Sequence, residues 1–157
     1  MDEKWVGMKM IVSFQDINNR LQERLDQLLT ATKFPIRTLT EGEIKKIFGE
    51  YLLPIEGVYL IVKNKPLYVG RSRNLAQRIG VDLRATTRKQ ATLSYKLTTL
   101  KDRFPQLQTI QDARNYIYDH YSIQMIRVED ENERAIIQIY AAMELGTIKE
   151  FNSFRET

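Results

Sequence analysis

The stretch from Gly57 to Gly70 constrains the fold of this chain more than any other. Its first half, Gly57 to Val62, is a run of β-branched, aromatic and aliphatic residues, which predicts a β-strand. The next residues, Lys63 to Pro66, are typical of a turn, and Leu67 to Val69 can pair back as a second strand. We therefore expect a β-hairpin here.

Hydrophobic periodicity predicts helices on the N-terminal side of this hairpin. Apolar residues spaced by three or four positions indicate one amphipathic helix from about Phe14 to Leu29, which Phe34-Pro35 ends. Thr40 and Glu43 have the spacing of a capping box, so a second, short helix follows. Pro54 then marks the boundary with the hairpin region.

Further helices and one more strand are expected after the hairpin. Helices are predicted over 74–83, 91–104 and 112–120, and a strand over 122–128. Asn132 should cap a last helix that Gly146 closes. One face of that helix is apolar and carries Ile136, Ile139, Tyr140 and Met143.

These elements predict an α+β fold with a small central three-stranded antiparallel sheet flanked by helices. We assign residues 1–55 to an N-terminal helical extension and residues 56–157 to the main domain. The 157-residue chain has no cysteine, which excludes disulfides and thiolate metal sites and fits a reducing cytoplasm. We see neither a secretory signal nor an apolar run of the ~18 residues that a membrane span needs.

Positive charge is concentrated in one segment. Lys63 to Arg103 holds eleven Lys and Arg against two acids, a net charge near +9, whereas the remaining 13 basic and 18 acidic residues give a charge near −5. Such a block is typical of a surface that binds nucleic-acid phosphates, although a solvated helical surface is the alternative. The candidate phosphate-binding residues are Lys63, Lys65, Arg73, Arg84, Arg88, Lys89 and Lys96.

Two glycine–tyrosine triplets lie on the predicted hairpin. Gly57-Val58-Tyr59 and Tyr68-Val69-Gly70 resemble the signature of the GIY-YIG nuclease family, and Arg78 stands where the family carries an arginine on the next helix. Asn152 matches the family's distal asparagine. The resemblance covers Gly57 to Asn152, and its finer pattern is similar to a group of small bacterial stand-alone GIY-YIG proteins.

The resemblance implies phosphodiester hydrolysis with one divalent metal ion, Mg²⁺ or Mn²⁺. It makes Tyr59 the general base or water-orienting group, with Tyr68 beside it. Because a phenol titrates near ~10, its pKa would have to be depressed for this role. Arg78 would grip the scissile phosphate, and Arg71 could add a second cation. The alternative for both tyrosines is simple packing within the sheet.

Gln138 departs from the family pattern. The family usually holds its metal on a glutamate in the last helix, and Gln138 stands at that position, immediately before Ile139-Tyr140-Ala141-Ala142. A neutral amide is a poor ligand for Mg²⁺. Either a glutamate was deliberately replaced, or the chain is a natural silent relative, or Glu133 or Glu144 takes the metal. Helix geometry argues against the last explanation, because neither acid shares the face of Gln138.

A second departure is Asp82, which stands four residues after Arg78, where the family often has histidine or tyrosine. Asn152 would position the backbone or the Gln138 side of the site. We therefore expect a metal-dependent endonuclease, with DNA as substrate and restriction or defence as its setting. The alternative is a catalytically silent nucleic-acid-binding or protein-interaction module on the same fold. Because a double-strand cut with one active site per chain needs two copies, a homodimer is one expected arrangement.

Overall fold

A computed structural model of the chain describes residues 5–6, 9–10, 12–84, 98–99, 103–149 and 152. Its helices and strands, in chain order, are β1 (Trp5–Val6), β2 (Lys9–Met10), α1 (Phe14–Asn19), α2 (Leu21–Thr30), β3 (Phe34–Pro35), α3 (Glu41–Phe48), β4 (Gly57–Val62), β5 (Pro66–Ser72), α4 (Leu75–Gly80), α5 (Ile110–His120), β6 (Ser122–Arg127) and α6 (Glu131–Leu145). Short 3₁₀ turns lie at Ile36–Thr38, Asp82–Arg84 and Thr147–Lys149. None of the described helices is long and apolar enough to cross a membrane.

The central sheet is antiparallel, with strand order β3-β6-β4-β5. The predicted α+β class and the β4–β5 hairpin are therefore confirmed, but the prediction of three strands was wrong. The fourth strand, β3, is only two residues long and pairs Phe34 with Ile123 and Pro35 with Ser122. Proline cannot donate to a ladder, so it is tolerated at this outer edge. The separate β1–β2 pair lies outside this sheet.

Helices cover both faces of the sheet. On one face α3, α4 and α5 pack against alternate residues of β4 and β6, including Tyr59 and Ile61. On the other face α2 and α6 pack against Val58, Leu60 and Val62. All six residues of β4 are buried, which is why this strand reads as a continuous apolar run rather than an alternating one.

The boundaries of several helices follow the predicted capping signals. The Thr40 side chain accepts a hydrogen bond from the Glu43 backbone N–H, 3.2 Å away, at the start of α3. Helix α5 differs from the prediction, because it begins at Ile110, two residues earlier, and its cap is Thr109 rather than Asp112, which completes a reciprocal capping box. Gly146 closes α6 in the left-handed conformation at φ 72°. The helix predicted over 91–104 lies largely outside the described residues.

Two helix predictions were wrong in detail. The single helix expected from Phe14 to Leu29 is broken at Arg20 into α1 and α2, and Phe14 is 65% exposed. Helix α6 is capped by Asp130 rather than Asn132.

The buried face of α6 also differs from the predicted one. Met143, on the predicted apolar face, is 66% exposed, whereas Ile137, Ala141 and Ala142 are buried. That buried face also contains the polar residues Glu133, Arg134 and Gln138, so apolar periodicity did not identify it.

Glu133 ties the N-terminal helices to α6. Its carboxylate accepts hydrogen bonds from Arg20 Nε at 2.6 Å, Arg20 Nη2 at 2.7 Å and Arg24 Nε at 3.3 Å. Burial by itself would raise the pKa of Glu133, but the two guanidinium groups outweigh it and the pKa lies below its ordinary value. Glu133 is therefore a structural anion: it is buried on α6 like Gln138, but its carboxylate is committed to Arg20 and Arg24.

Candidate functional site

The two signature tyrosines lie on neighbouring antiparallel strands and on the same face of the sheet. Tyr59 is opposite Gly70, and Tyr68 is opposite Ile61. The two rings are 6.1 Å apart between centroids and are inclined by 42°. Tyr59 is fully buried, while Tyr68 is only partly buried at the same face. The two triplets thus bring the buried phenol of Tyr59 and the partly buried phenol of Tyr68 together.

Gly70 is required by the position of the Tyr59 ring. A Cβ atom at Gly70 would lie 2.1 Å from Tyr59 Cζ and 2.4 Å from its hydroxyl oxygen, far inside van der Waals contact. Gly57 is required for a similar reason, since its Cβ would lie 2.2 Å from the carbonyl oxygen of Ile126 on β6. Gly70 therefore makes room for the Tyr59 ring, and Gly57 lets β4 and β6 approach each other closely.

Arg78 joins the tyrosines from helix α4. Asn74 caps this helix through a 3.1 Å bond from the Gln77 backbone N–H. Arg78 Nε donates a long hydrogen bond of 3.4 Å to the Tyr59 hydroxyl. On its other side, Arg78 Nη1 lies 3.9 Å from Asp82 Oδ2. Asp82 therefore faces the arginine as a counter-charge.

Tyr59 is a neutral phenol in this environment. Burial is the largest influence and raises its pKa well above the ordinary value, and the neighbouring Tyr68 acts in the same direction. Arg78 lowers the pKa but does not compensate. This net shift is opposite to the one that a general base at neutral pH needs, so Tyr59 as it stands is suited to donating or accepting a hydrogen bond.

The remaining candidates form a second group around strand β5. Gln138 Oε1 accepts a hydrogen bond from Arg71 Nη1 at 2.7 Å, and Gln138 Nε2 donates to the Val69 carbonyl at 3.0 Å. Asn152 Nδ2 donates to the same carbonyl at 2.8 Å, and Asn152 Oδ1 accepts from the Val69 N–H at 2.8 Å. We call Gln138, Asn152 and their bonds to Val69 the amide clamp. Thr147, which the sequence did not single out, supports it by donating to Asn152 Oδ1 at 2.7 Å.

The two groups lie on opposite sides of β5. Tyr59 and Tyr68 belong to the face covered by α3, α4 and α5, whereas Val69 packs with α6 on the other face. Arg71, two residues along the strand, points the same way as Val69 and reaches Gln138. The structure therefore brings Tyr59, Tyr68 and Arg78 together, and separately brings Arg71, Gln138 and Asn152 together.

The residues at Gln138 do not fit the divalent metal ion that the resemblance implies. The only side-chain oxygen of Gln138 receives a guanidinium N–H from Arg71, so a cation already occupies the direction in which a metal would bind. An amide oxygen adds no charge to offset a divalent ion. Within the described ranges, no three His, Cys, Asp or Glu side chains are grouped so that they could hold a metal.

Three of the seven predicted phosphate-binding residues, Lys63, Lys65 and Arg73, line clefts in the described part of the chain. Lys63 and Lys65 line a cleft of about 520 Å³ at the tip of the β4–β5 hairpin. Arg71 and Arg73 line another, of about 390 Å³, beside the start of α6. The other four lie outside what is described, because the side chain of Arg84 and all of the residues Arg88, Lys89 and Lys96 fall in undescribed positions.

Comparison with known proteins gives no relative: no family model, curated protein or solved structure significantly matches this chain.

Proposed function

We propose that this chain is a nucleic-acid-binding protein of the GIY-YIG nuclease type. It binds a phosphodiester but hydrolyses it poorly because position 138 is a glutamine. The observation that carries the proposal is the grouping of Tyr59, Tyr68 and Arg78 on one face, where Gly70 leaves the space that the Tyr59 ring occupies. Sheet packing alone would account for two tyrosines. It would not account for a guanidinium directed at the hydroxyl of the buried one.

Arg78 is the residue proposed to hold the phosphate. Its side chain is 25% exposed, so part of the guanidinium is accessible while the rest is positioned by Tyr59 and Asp82. A guanidinium is always charged, and its forked N–H groups match two phosphate oxygens. The neutral Tyr59 hydroxyl fixes the direction of this fork, and Tyr68 is placed to donate a further hydrogen bond to the same ligand.

A second candidate function is an endonuclease in which glutamine has replaced the metal-binding glutamate. The specific observation in its favour is that Gln138 is 9% exposed and held at both ends of its amide group, so the nearly isosteric glutamate would occupy the same place. On this proposal the active form would contain glutamate at position 138, use Mg²⁺ or Mn²⁺ and act on DNA. Two copies would be needed for a double-strand cut.

Nucleic-acid binding is tested directly by fluorescence anisotropy with labelled single-stranded DNA, duplex DNA and RNA. The affinity of the wild-type chain should fall between 50 and 200 mM salt with a log–log slope of several units, because each phosphate contact contributes about −0.9 for duplex DNA. Arg78→Ala should weaken binding by about 10–100-fold, since it removes charged hydrogen bonds. Arg78→Lys, which keeps the charge but not the fork, should be intermediate.

Arg37→Ala is the matched control, because Arg37 is exposed and pairs with Asp119 away from the tyrosines. It should leave the affinity nearly unchanged, and thermal unfolding should show that all the variants remain folded. Equal losses for Arg78→Ala and Arg37→Ala, or an affinity that does not respond to salt, would refute the proposal.

A further inference from the structure

The cleft at the hairpin tip combines positive charge with aromatic surface. Its described lining consists of Lys63, Asn64, Lys65, Leu67, Arg103, Phe104, Tyr116 and Tyr121. Three of these side chains are cationic, three are aromatic, and no acid is among them. We refer to this site as the hairpin-tip cleft. Its volume of about 520 Å³ lies within the range of small-ligand sites.

The aromatic rings of the hairpin-tip cleft are arranged as a rigid corner. Phe104 and Tyr116 meet edge to face, with centroids 5.4 Å apart, and Tyr121 meets Tyr116 in the same way at 5.7 Å. Tyr121 is buried in the core, so this corner is anchored to the domain. An aromatic surface held in this way costs little entropy when a flat ligand packs on it.

Two cations lie against these rings. Lys63 Nζ is 5.2 Å from the centroid of Tyr116 and donates a 2.9 Å hydrogen bond to its hydroxyl. The Arg103 guanidinium carbon is 5.5 Å from the Phe104 centroid. Aromatic contacts of this kind hold a long side chain in place without neutralising its charge. Lys63 and Arg103 therefore place their cationic groups beside the aromatic rings that line the hairpin-tip cleft, where an anion can also bind them.

We propose that the hairpin-tip cleft binds one unpaired nucleotide of a nucleic-acid strand, with the base against Phe104, which Tyr116 supports, and its phosphate on Lys65 and Arg103. A π-face beside a cationic groove is the combination by which proteins hold single strands. Asn64 supplies an amide that can donate to and accept from a base edge. The carboxylates of an acidic peptide could pair with the cations, but they would make no stacking contact with the aromatic rings.

The hairpin-tip cleft and the proposed phosphate site, on which this inference rests, both lie along the β4–β5 hairpin. Leu67, in its lining, is the neighbour of Tyr68. The distance along β5 from Lys65 to Gly70 is five residues, or about 16 Å, which corresponds to about five stacked nucleotides. A base inside a duplex is paired and stacked and cannot enter such a cleft without being flipped out. The preferred substrate class is therefore nucleic acid with unpaired nucleotides, with a single strand as the simplest case.

The experiment compares single-stranded and duplex oligonucleotides of about ten nucleotides, within the site sizes of known single-strand binders, by fluorescence anisotropy. The wild-type chain should bind the single strand about tenfold more tightly, the value of roughly one base stacked on an aromatic ring. Phe104→Leu keeps an apolar side chain but loses the π-face, and it should remove this preference while leaving duplex affinity unchanged. Lys33→Ala, an exposed lysine elsewhere, should change neither affinity.

A second measurement does not depend on how Phe104→Leu folds. Abasic sites introduced one at a time into the single strand keep every phosphate and remove one base. In the wild-type chain one position should lower the affinity by about tenfold, and in Lys65→Ala/Arg103→Ala the whole strand should bind more weakly.

The outcomes separate this inference from the proposed function. If Arg78→Ala weakens binding but neither Phe104→Leu nor any abasic site does, the hairpin-tip cleft is not a base site and only this inference fails. If no nucleic acid binds at all, both fail. Polyglutamate provides the opposite test. If it displaces the single strand, and if it binds Lys65→Ala/Arg103→Ala more weakly but Phe104→Leu as tightly as the wild-type chain, the hairpin-tip cleft binds an acidic protein segment and this inference is overturned.

Discussion

Replacing Gln138 with glutamate is the change that best separates a silent binding protein from a trapped nuclease. The carboxylate would lose the 3.0 Å hydrogen bond that Gln138 Nε2 donates to the Val69 carbonyl and would place an acceptor oxygen against that carbonyl oxygen, at a cost of about 2 kcal/mol. It would gain a charge-assisted bond from Arg71 in place of the present 2.7 Å bond, worth about 1 kcal/mol more than the neutral one. The Val69 carbonyl would keep its bond from Asn152.

The loss exceeds the gain by about 1 kcal/mol, so Gln138→Glu should fold with its free energy of unfolding lowered by about that amount. For a chain of this size the corresponding change in Tm is about 2–4 °C. By contrast, Gln138→Leu removes both bonds without supplying a charge. It should be less stable than the wild-type chain by about 1–3 kcal/mol.

Metal binding can be measured independently of cleavage. If Gln138→Glu binds Mg²⁺, a concentration ten times the Kd stabilises the folded state by about 1.4 kcal/mol, which raises Tm by about 3–6 °C. The wild-type chain and Gln138→Leu should show no such rise. In the same variant, nicking of DNA should appear with Mg²⁺ or Mn²⁺ and leave 5′-phosphate and 3′-hydroxyl ends, as the family resemblance implies.

Two results would refute the reasoning. A Gln138→Glu variant that is folded but shows neither a metal-dependent rise in Tm nor cleavage of duplex DNA, single-stranded DNA or RNA would exclude the trapped-nuclease proposal. A wild-type chain that cleaves as fast as the variant would show that Gln138 is not the reason for slow hydrolysis. In the active variant, Arg78→Ala should then abolish cleavage.

Three further predictions concern the structure around the site. Gly70→Ala should destabilise the chain by about 1–3 kcal/mol through its overlap with Tyr59, and in a Tyr59→Ala background chemical denaturation should show a clearly smaller loss. Burial raises the pKa of Tyr59 in the folded state. The stability that the neutral Tyr59 contributes is therefore complete below the unfolded pKa of about 10 and is lost as the pH rises above that value. Tyr59→Phe should accordingly flatten the decline of Tm between about pH 9 and 11. Asn152→Ala should cost about 2–3 kcal/mol in unfolding experiments, because it leaves the buried Val69 N–H without its side-chain acceptor.

The parts of the fold that depend on residues close together in the sequence were predictable. The β4–β5 hairpin follows from local strand propensity and a turn, and the caps at Thr40 and Gly146 follow from single side chains or a single glycine. Strand β3 was not predictable, since two residues carry no periodicity and their pairing with β6 is made across most of the chain.

Long-range contacts explain the remaining differences. Apolar spacing in α6 favoured the wrong face because Glu133 and Arg134 are buried by partners far away in sequence: Arg20 is 113 residues from Glu133, and Glu56 is 78 residues from Arg134. The grouping of Tyr59, Tyr68 and Arg78 could be anticipated from two triplets and an arginine. The direction of the pKa shift at Tyr59 could not, because it depends on complete burial by helices on one face of the sheet.

The amide clamp has a consequence for how copies of this chain can associate. Strand β5 is an outer strand of the sheet, and unpaired outer strands are where proteins aggregate or exchange segments by adding strands from a neighbour. At Val69 both outward-facing backbone groups are already bonded to the side-chain amide of Asn152, as they would be to the backbone of another strand. An incoming strand would have to break these bonds first. The clamp therefore makes this edge resistant to strand addition, and loss of Asn152 should increase aggregation as well as lower stability.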